Sequence, residues 1–308
     1  MLRIDLGRSH WDDQGCQNKQ GYGSARRGHH IPDWYTPQVP CACSFQFASR
    51  NATLFTRTFS GDQISMRVGP PALKKAIQEF ASGNPVMVFD SSFRESETDL
   101  LWPAQFATPQ VMRRLRNDCG GLLFLAIGNE IGEKFDLPWL QDIHTNHALV
   151  QLHPVLDRLK TDDLQYDNKS AFTLSINHRD TFTGITDRDR ALTTRRFGEL
   201  SGEVLRNGLS NEEAQIALGE EFRTPGHIPV CRESPGGLSS RQGHTELAVS
   251  IARMAGLVPC TIGAEMLQPD GDGALPVEEA RAYAERHDIP MLTGDDLLEH
   301  YDNNGTVN

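Results

Sequence analysis

Val86-Met87-Val88-Phe89, followed after four residues by Arg94-Glu95-Ser96-Glu97-Thr98-Asp99, is the stretch on which the architecture turns. Four consecutive apolar residues predict a strand buried on both faces. The polar run after it leaves the core. Glu95, Glu97 and Asp99 stand two residues apart, so an extended backbone turns all three to one side. Carboxylates gathered on one side repel each other unless a cation or a hydrogen-bond donor sits among them. Oxygen donors of this kind favour magnesium or manganese over zinc. Arg94 adds a fixed positive fork suited to phosphate or carboxylate. A solvated acidic loop after a strand has the same composition, so this stretch needs company.

Outward from it, helices and strands interleave. Pro71 to Phe80 has helical apolar spacing, and Thr108-Pro109 supplies a capping hydroxyl with proline in the first turn. Leu122 to Ile127 predicts another buried strand, and Phe172 to Ile176 alternates as a half-buried one. Ser210-Asn211-Glu212-Glu213 is a capping box before a short helix. Thr245 to Ala255 is read as an amphipathic helix stopped by Gly256. Thr261 to Leu267 is strand-like, and Pro276 to His287 is helical. Strands do not alternate strictly with crossover helices. The expected class is therefore α+β rather than a doubly wound sheet.

Bulk properties bound the partners. The 308 residues are 38% hydrophobic and 23% charged, as in a soluble globular protein. Net charge is -11; residues 1–65 hold 7 Lys+Arg and 5 Asp+Glu, leaving 23 against 36 in the remainder. So acidic a body does not suit a nucleic-acid backbone. No apolar run approaches the roughly 18–20 residues of a membrane span. Six cysteines are too few for a disulfide scaffold in a chain of this length, so reduced thiols and a cytoplasmic setting are expected. Residues 1–65 lack periodicity and are expected to form a disordered or non-native extension, with the domain spanning 66–308 and Met66 as a candidate start. His29, His30, Cys41 and Cys43 offer zinc-type donors, but their spacing fits no usual finger.

Two further segments carry chemistry. Pro225-Gly226-His227 is read as a turn that presents a histidine, the side chain best suited to moving protons near neutral pH. A surface imidazole on a structural turn has the same sequence. Arg241-Gln242-Gly243-His244-Thr245-Glu246 opens a helix, whose free N–H groups and dipole make a natural phosphate seat. His244 can bind a metal through one nitrogen while a neighbour orients the other. An ordinary capped helix start satisfies the same pattern. Glu265 lies in an apolar strand, where a carboxylate without a partner is costly.

Taken in order, these segments resemble 3,4-dihydroxy-2-butanone 4-phosphate synthase of riboflavin biosynthesis, most like its archaeal single-domain form. The likeness spans about Pro71 to Leu298. It rests on Val88-Phe89-Asp90 through Asp99, Asp118-Cys119-Gly120-Gly121-Leu122, Thr183-Gly184-Ile185-Thr186-Asp187-Arg188-Asp189-Arg190, Arg223 to His227, Arg241 to Glu246, and Ala264-Glu265-Met266. The resemblance implies a compact single α+β domain with a mixed sheet and flanking helices, forming a homodimer with sites near the subunit interface. It implies magnesium or manganese held by Glu95 and His244. Substrate contacts fall on Arg94, Glu95, Asp99, Arg241, Gln242, Gly243, His244, Thr245 and Glu265, and proton handling on His227 and Glu265, with Glu97 and Asp99 as further candidates. Thr183, Asp189 and Arg190 are expected to assist from the same or the partner subunit. The implied reaction converts D-ribulose 5-phosphate into formate and L-3,4-dihydroxy-2-butanone 4-phosphate. Phe124 and Ala264 stand where the family usually has cysteine. That departure keeps a non-catalytic sugar-phosphate binding protein open, and the ligand set alone also suits a metal-dependent sugar-phosphate isomerase or aldolase.

Overall fold

The computed structural model describes residues 70–165 and 167–304. The expected extension, the candidate start at Met66 and the zinc-type donors at His29, His30, Cys41 and Cys43 lie outside them. The chain runs α1 (Pro70–Ala81), β1 (Val86–Phe89), β2 (Thr98–Pro103), α2 (Pro109–Asp118), β3 (Phe124–Ile127) and α3 (Asn129–Lys134). Three short helices follow, α4 (Leu140–His144), α5 (His147–Leu152) and α6 (Val155–Arg158), and then β4 (Phe172–His178). The remainder is α7 (Asp187–Asn207), α8 (Asn211–Glu221), β5 (Phe222–Arg232), α9 (His244–Met254), β6 (Cys260–Glu265), α10 (Val277–Arg286), β7 (Met291–Thr293) and α11 (Gly294–Asn304).

The strands form one sheet in the order β4-β5-β3-β6-β2-β1-β7. It is mixed: β3 runs parallel to β5 and β1 to β7, while the other pairs are antiparallel. Helices cover both faces, so the central strands are apolar without alternation. On one face Met87, Leu100, Leu125 and Ile127 pack with Met112 and Leu115 of α2 and Phe197 of α7. On the other, Val88, Leu101, Phe124 and Ala126 pack with Phe80 of α1, Leu247 and Ile251 of α9, and Leu297 of α11. The α+β expectation with a mixed sheet holds.

Local signals placed several elements well. Thr108 accepts a hydrogen bond from Val111 N at 3.3 Å, and the capping box of Ser210 and Glu213 is formed. Gly208 closes α7 in the left-handed conformation, at φ 63°. Other expectations need correction. Thr245 to Ala252 of α9 are all buried, so this helix is enclosed on every side rather than amphipathic. Pro225-Gly226-His227 is no free turn. It is an excursion within β5: Ile176 pairs with Ile228, yet the next residue, Asn177, pairs with Arg223. The 21-residue helix α7 has no apolar period in the sequence because Thr193, Thr194, Gly198, Ser201 and Gly202 face its buried side. Small and hydroxyl side chains give no hydrophobic period, yet they allow close approach, and a Cβ on Gly198 would lie 2.9 Å from the Gln105 backbone.

Phe124 is 3% exposed and lies in the core beneath α9, so it fills volume rather than facing the site as a reactive group. Phe124→Cys should lose about 2–4 kcal/mol of stability through the cavity it leaves. Urea unfolding at fixed pH measures this; an unchanged midpoint would show that the space closes.

Candidate active site and metal centre

The site begins with Asp90, at the end of β1 and 4% exposed. Its two carboxylate oxygens accept from Glu95 N at 2.9 Å and Glu97 N at 3.0 Å, and its own N–H donates to Glu97 O. Ser96 between them takes a positive φ of 57°. The backbone is therefore folded around an aspartate here, not extended as alternation predicts. The folded loop still gathers Glu95 and Glu97. The sequence signal for this fold is an aspartate that follows a strand, a residue type that bonds to backbone N–H groups a few positions on.

Asp99 is the second residue of β2, which is buried along its whole length, and it pairs directly with Glu265 of β6, so both side chains share one face. On that face α9 begins. His244 Nδ1 meets Asp99 Oδ2 at 2.7 Å. Its Nε2 lies 3.3 Å from Glu95 Oε2 and 3.8 Å from Glu97 Oε2, and this buried nitrogen has no well-formed hydrogen bond. Donor atoms of Glu95, Glu97 and His244 all lie within 4.8 Å of one another. Asp99 thus fixes the ring with Nδ1–H pointing at it and turns Nε2 toward two carboxylates, the direction a metal-binding imidazole needs. Two oxygens and one nitrogen suit a divalent ion. Glu97 joins the two expected ligands.

Electrostatics agree. Burial opposes charge on His244, but Asp99 and Glu95 outweigh it and hold the pKa well above the ordinary imidazole value. Glu95 is held low, first by its pairing with His244. Glu97 is raised, chiefly by burial. A cation among them replaces the imidazole proton and relieves the carboxylates. Glu265 is pushed up to about 7, by burial first and by Asp99 second. Its carboxylate accepts from Leu122 N at 2.7 Å, and Gly121 N bonds to its carbonyl. A Cβ on Gly121 would lie 2.5 Å from that carbonyl, so glycine is required for this approach.

The remaining expected residues divide. Arg94 and Arg241 flank the cluster: Arg94 bonds to Glu95 and Arg241 to Glu246, which is fully buried. Gly243 caps α9 with no side-chain bond, and a Cβ there would collide with the Arg241 guanidinium. Thr245 is buried in the first turn, and Gln242 lines an open cavity beside Arg241. His227 stands apart from the cluster. Its N–H donates to Asn177 Oδ1 at 2.9 Å, and its ring lies 3.1 Å from Asn177 Nδ2. It lines a cavity of about 260 Å³ with Arg116, Arg190, Gly121, Leu122 and Ala264. Thus Gly121 and Leu122 both anchor Glu265 and form a wall beside His227. Asp189 accepts from the backbone N–H groups of Thr183 and Gly184, which gives it a structural part. Cys119 lines a different cavity, and burial drives its thiol far up. It does not stand in for a reactive cysteine.

Comparison with known proteins gives a consistent result. The family model described as 3,4-dihydroxy-2-butanone 4-phosphate synthase matches residues 74–300. The 3,4-dihydroxy-2-butanone 4-phosphate synthase of Methanothermobacter thermautotrophicus is 38% identical over 229 residues, covering 74% of this chain and 95% of the relative. That of Archaeoglobus fulgidus is 40% identical over 230 residues, covering 74% and 93%. A crystal structure of a 3,4-dihydroxy-2-butanone 4-phosphate synthase in complex with two magnesium ions has a TM-score of 0.57 and 26% identity, over 75% of this chain and 96% of the other.

Glu265 gives the site a pH signature. Its pKa rises from the ordinary 4.5 to about 7 in the folded chain, so the native state binds the proton more tightly than the unfolded state. Stability therefore falls as pH climbs through that window, and the loss is complete above it. Glu265→Gln keeps an acceptor for Leu122 N. In the absence of added metal it should melt higher than the parent at pH 8, by about 2–4 °C for each kcal/mol relieved. The gap should close below about pH 4.5. Equal melting temperatures at pH 8 would show that ionised Glu265 carries no such burden.

Proposed function

This chain belongs to the 3,4-dihydroxy-2-butanone 4-phosphate synthase family, and on that footing we propose that it converts D-ribulose 5-phosphate into formate and L-3,4-dihydroxy-2-butanone 4-phosphate in riboflavin biosynthesis. The observation that carries this reading is the cluster of Glu95, Glu97 and His244 with the ring fixed by Asp99. The enzyme is a lyase that uses a divalent metal, magnesium or manganese, held by Glu95 and His244 with Glu97 beside them. When bound, the ion polarises the ketone and its neighbouring hydroxyl oxygens.

The chain's own residues do the rest. Arg241, the Gly243–Thr245 backbone and the start of α9 seat the phosphate, which fixes the carbon chain before any proton moves. Glu265, with a pKa of about 7, can give or take a proton at neutral pH. It serves with His227 in removing the proton next to the carbonyl and assisting departure of the C1 hydroxyl. Skeletal rearrangement follows, and addition of water releases C4 as formate. Asp99 stays on the His244 ring throughout and positions it. Glu97 shares the proton traffic at the carboxylate cluster.

We further assign the active form to a homodimer. His227 makes no hydrogen bond or ion pair to the ligand cluster among the described residues. Asn177, its partner, also donates to Thr183 O, in the loop that carries Phe182, 94% exposed, and Ile185, 52% exposed. Apolar side chains presented beside a proton-moving histidine suit a subunit interface. The catalytic unit is residues 66–308, in a cytoplasmic setting that the unpaired, buried Cys119, Cys231 and Cys260 support.

Purified protein with magnesium and ribulose 5-phosphate should release formate, from the full chain and from a chain beginning at Met66 alike. Glu95→Gln or His244→Ala should lower turnover by at least about 10³-fold while the fold persists. Formate no higher than in a chelated control would refute the assigned reaction, and an isomerised or cleaved sugar phosphate without formate would redirect it. Mixing His227→Ala with Glu95→Gln chains tests the dimer: if each site draws on both subunits, about a quarter of parental activity should return after exchange. No recovery on exchange would place both residues of a site in one chain.

A further inference from the structure

Asp167 has no role in the chemistry above, yet it sits on the two arginines that flank the metal cluster. Its Oδ2 accepts from Arg94 Nη2 at 2.6 Å and pairs with Arg241 Nη2 at 2.7 Å. A single carboxylate oxygen thus bridges two guanidinium groups that come from distant parts of the chain. Arg94 directly precedes Glu95, and Arg241 lies three residues before His244. All three side chains border one cavity of about 490 Å³ that is open to solvent.

The fit is incomplete. Arg241 Nη1 is taken by Glu246, and Nη2 by Asp167, but the buried Nε has no partner. A carboxylate oxygen in this place serves one edge nitrogen. A phosphate, with more oxygens in a tetrahedral arrangement, can serve Nη2 and Nε together and reach Arg94 as well. The first turn of α9, which begins three residues after Arg241, carries no side-chain cap. The neighbouring backbone is tied down without Asp167. Lys169 Nζ bonds to Asp142 at 2.7 Å and sits 4.6 Å over the Trp139 ring, and Ser170 N bonds to Gln141.

We propose that Asp167 is an internal anion occupying the seat of the ligand's phosphate, and that a phosphorylated ligand displaces its carboxylate from Arg94 and Arg241. This rests on the reading that the Arg241 end of the site takes the phosphate. The device sets affinity: every phosphorylated ligand binds against the chain's own carboxylate. It also keeps two half-buried arginines neutralised while the seat is free, and so favours ligands that bring at least two negative charges over singly charged ones.

Titration calorimetry with inorganic phosphate on the full-length chain in magnesium tests this. Asp167→Asn keeps the shape and removes the charge, and phosphate should bind about tenfold more tightly to it than to the parent. Adding Arg241→Gln to Asp167→Asn should abolish that gain. A carboxylate that merely aligns the arginines predicts the opposite sign. Unchanged or weaker phosphate binding in Asp167→Asn, or no binding in either protein, overturns the proposal. Formate release is read separately. Formate without the affinity gain sinks the internal anion alone, whereas the gain without formate sinks only the assigned reaction.

Discussion

The contact between Asp99 and His244 holds the site together. Asp99 is rooted in a central strand, 2% exposed, and His244 is the first residue of a fully enclosed helix. Their 2.7 Å bond ties the sheet to the start of α9 and decides which ring nitrogen faces outward. Without it, Nε2 has no fixed direction, and Glu95 and Glu97 face each other with only solvent between them. A charged pair this deep costs desolvation and earns its place through orientation more than through stability.

Around that pair the chain balances charge locally. The carboxylates of Asp90, Glu95, Glu97, Asp99 and Glu265 crowd the ends of three strands. Asp90 is quieted by backbone N–H groups, Glu265 by Leu122 N, and Glu95 by Arg94 and His244. Pairing with His244 holds Glu95 low, whereas burial raises Glu97 and Glu265. That separation lets one carboxylate stay ionised as a ligand while another keeps a proton near neutral pH.

Much of this was legible in the sequence, and the limits are physical. The buried strands at Val86–Phe89 and Phe124–Ile127 and the caps at Thr108 and Ser210 follow from apolar runs and capping chemistry, and the nearness of Glu95 and His244 accords with what the family resemblance implies. The folded loop at Ser96 did not, because alternation of charge looks the same in a strand and in a turn wrapped on an aspartate. Helix α7 hid behind small polar residues whose packing is set by distant partners. The placement of His227 depends on a break in strand pairing between Ile176 and Asn177 that no local pattern records. Asp167 carries no local signal, since an aspartate in a polar stretch gains its meaning only from the two distant arginines on it.

The direct pairing of Asp99 with Glu265 across β2 and β6 imposes a parity on this region. Removing one residue from the middle of β2 would invert the faces of everything on one side of the cut, sending either the acid that holds His244 or its apolar neighbours to the wrong layer. Removing two would restore the alternation. Descendants of this chain can therefore lengthen or shorten the exposed helical stretch between Leu140 and Arg158 residue by residue, but can drift in β2 only by even steps.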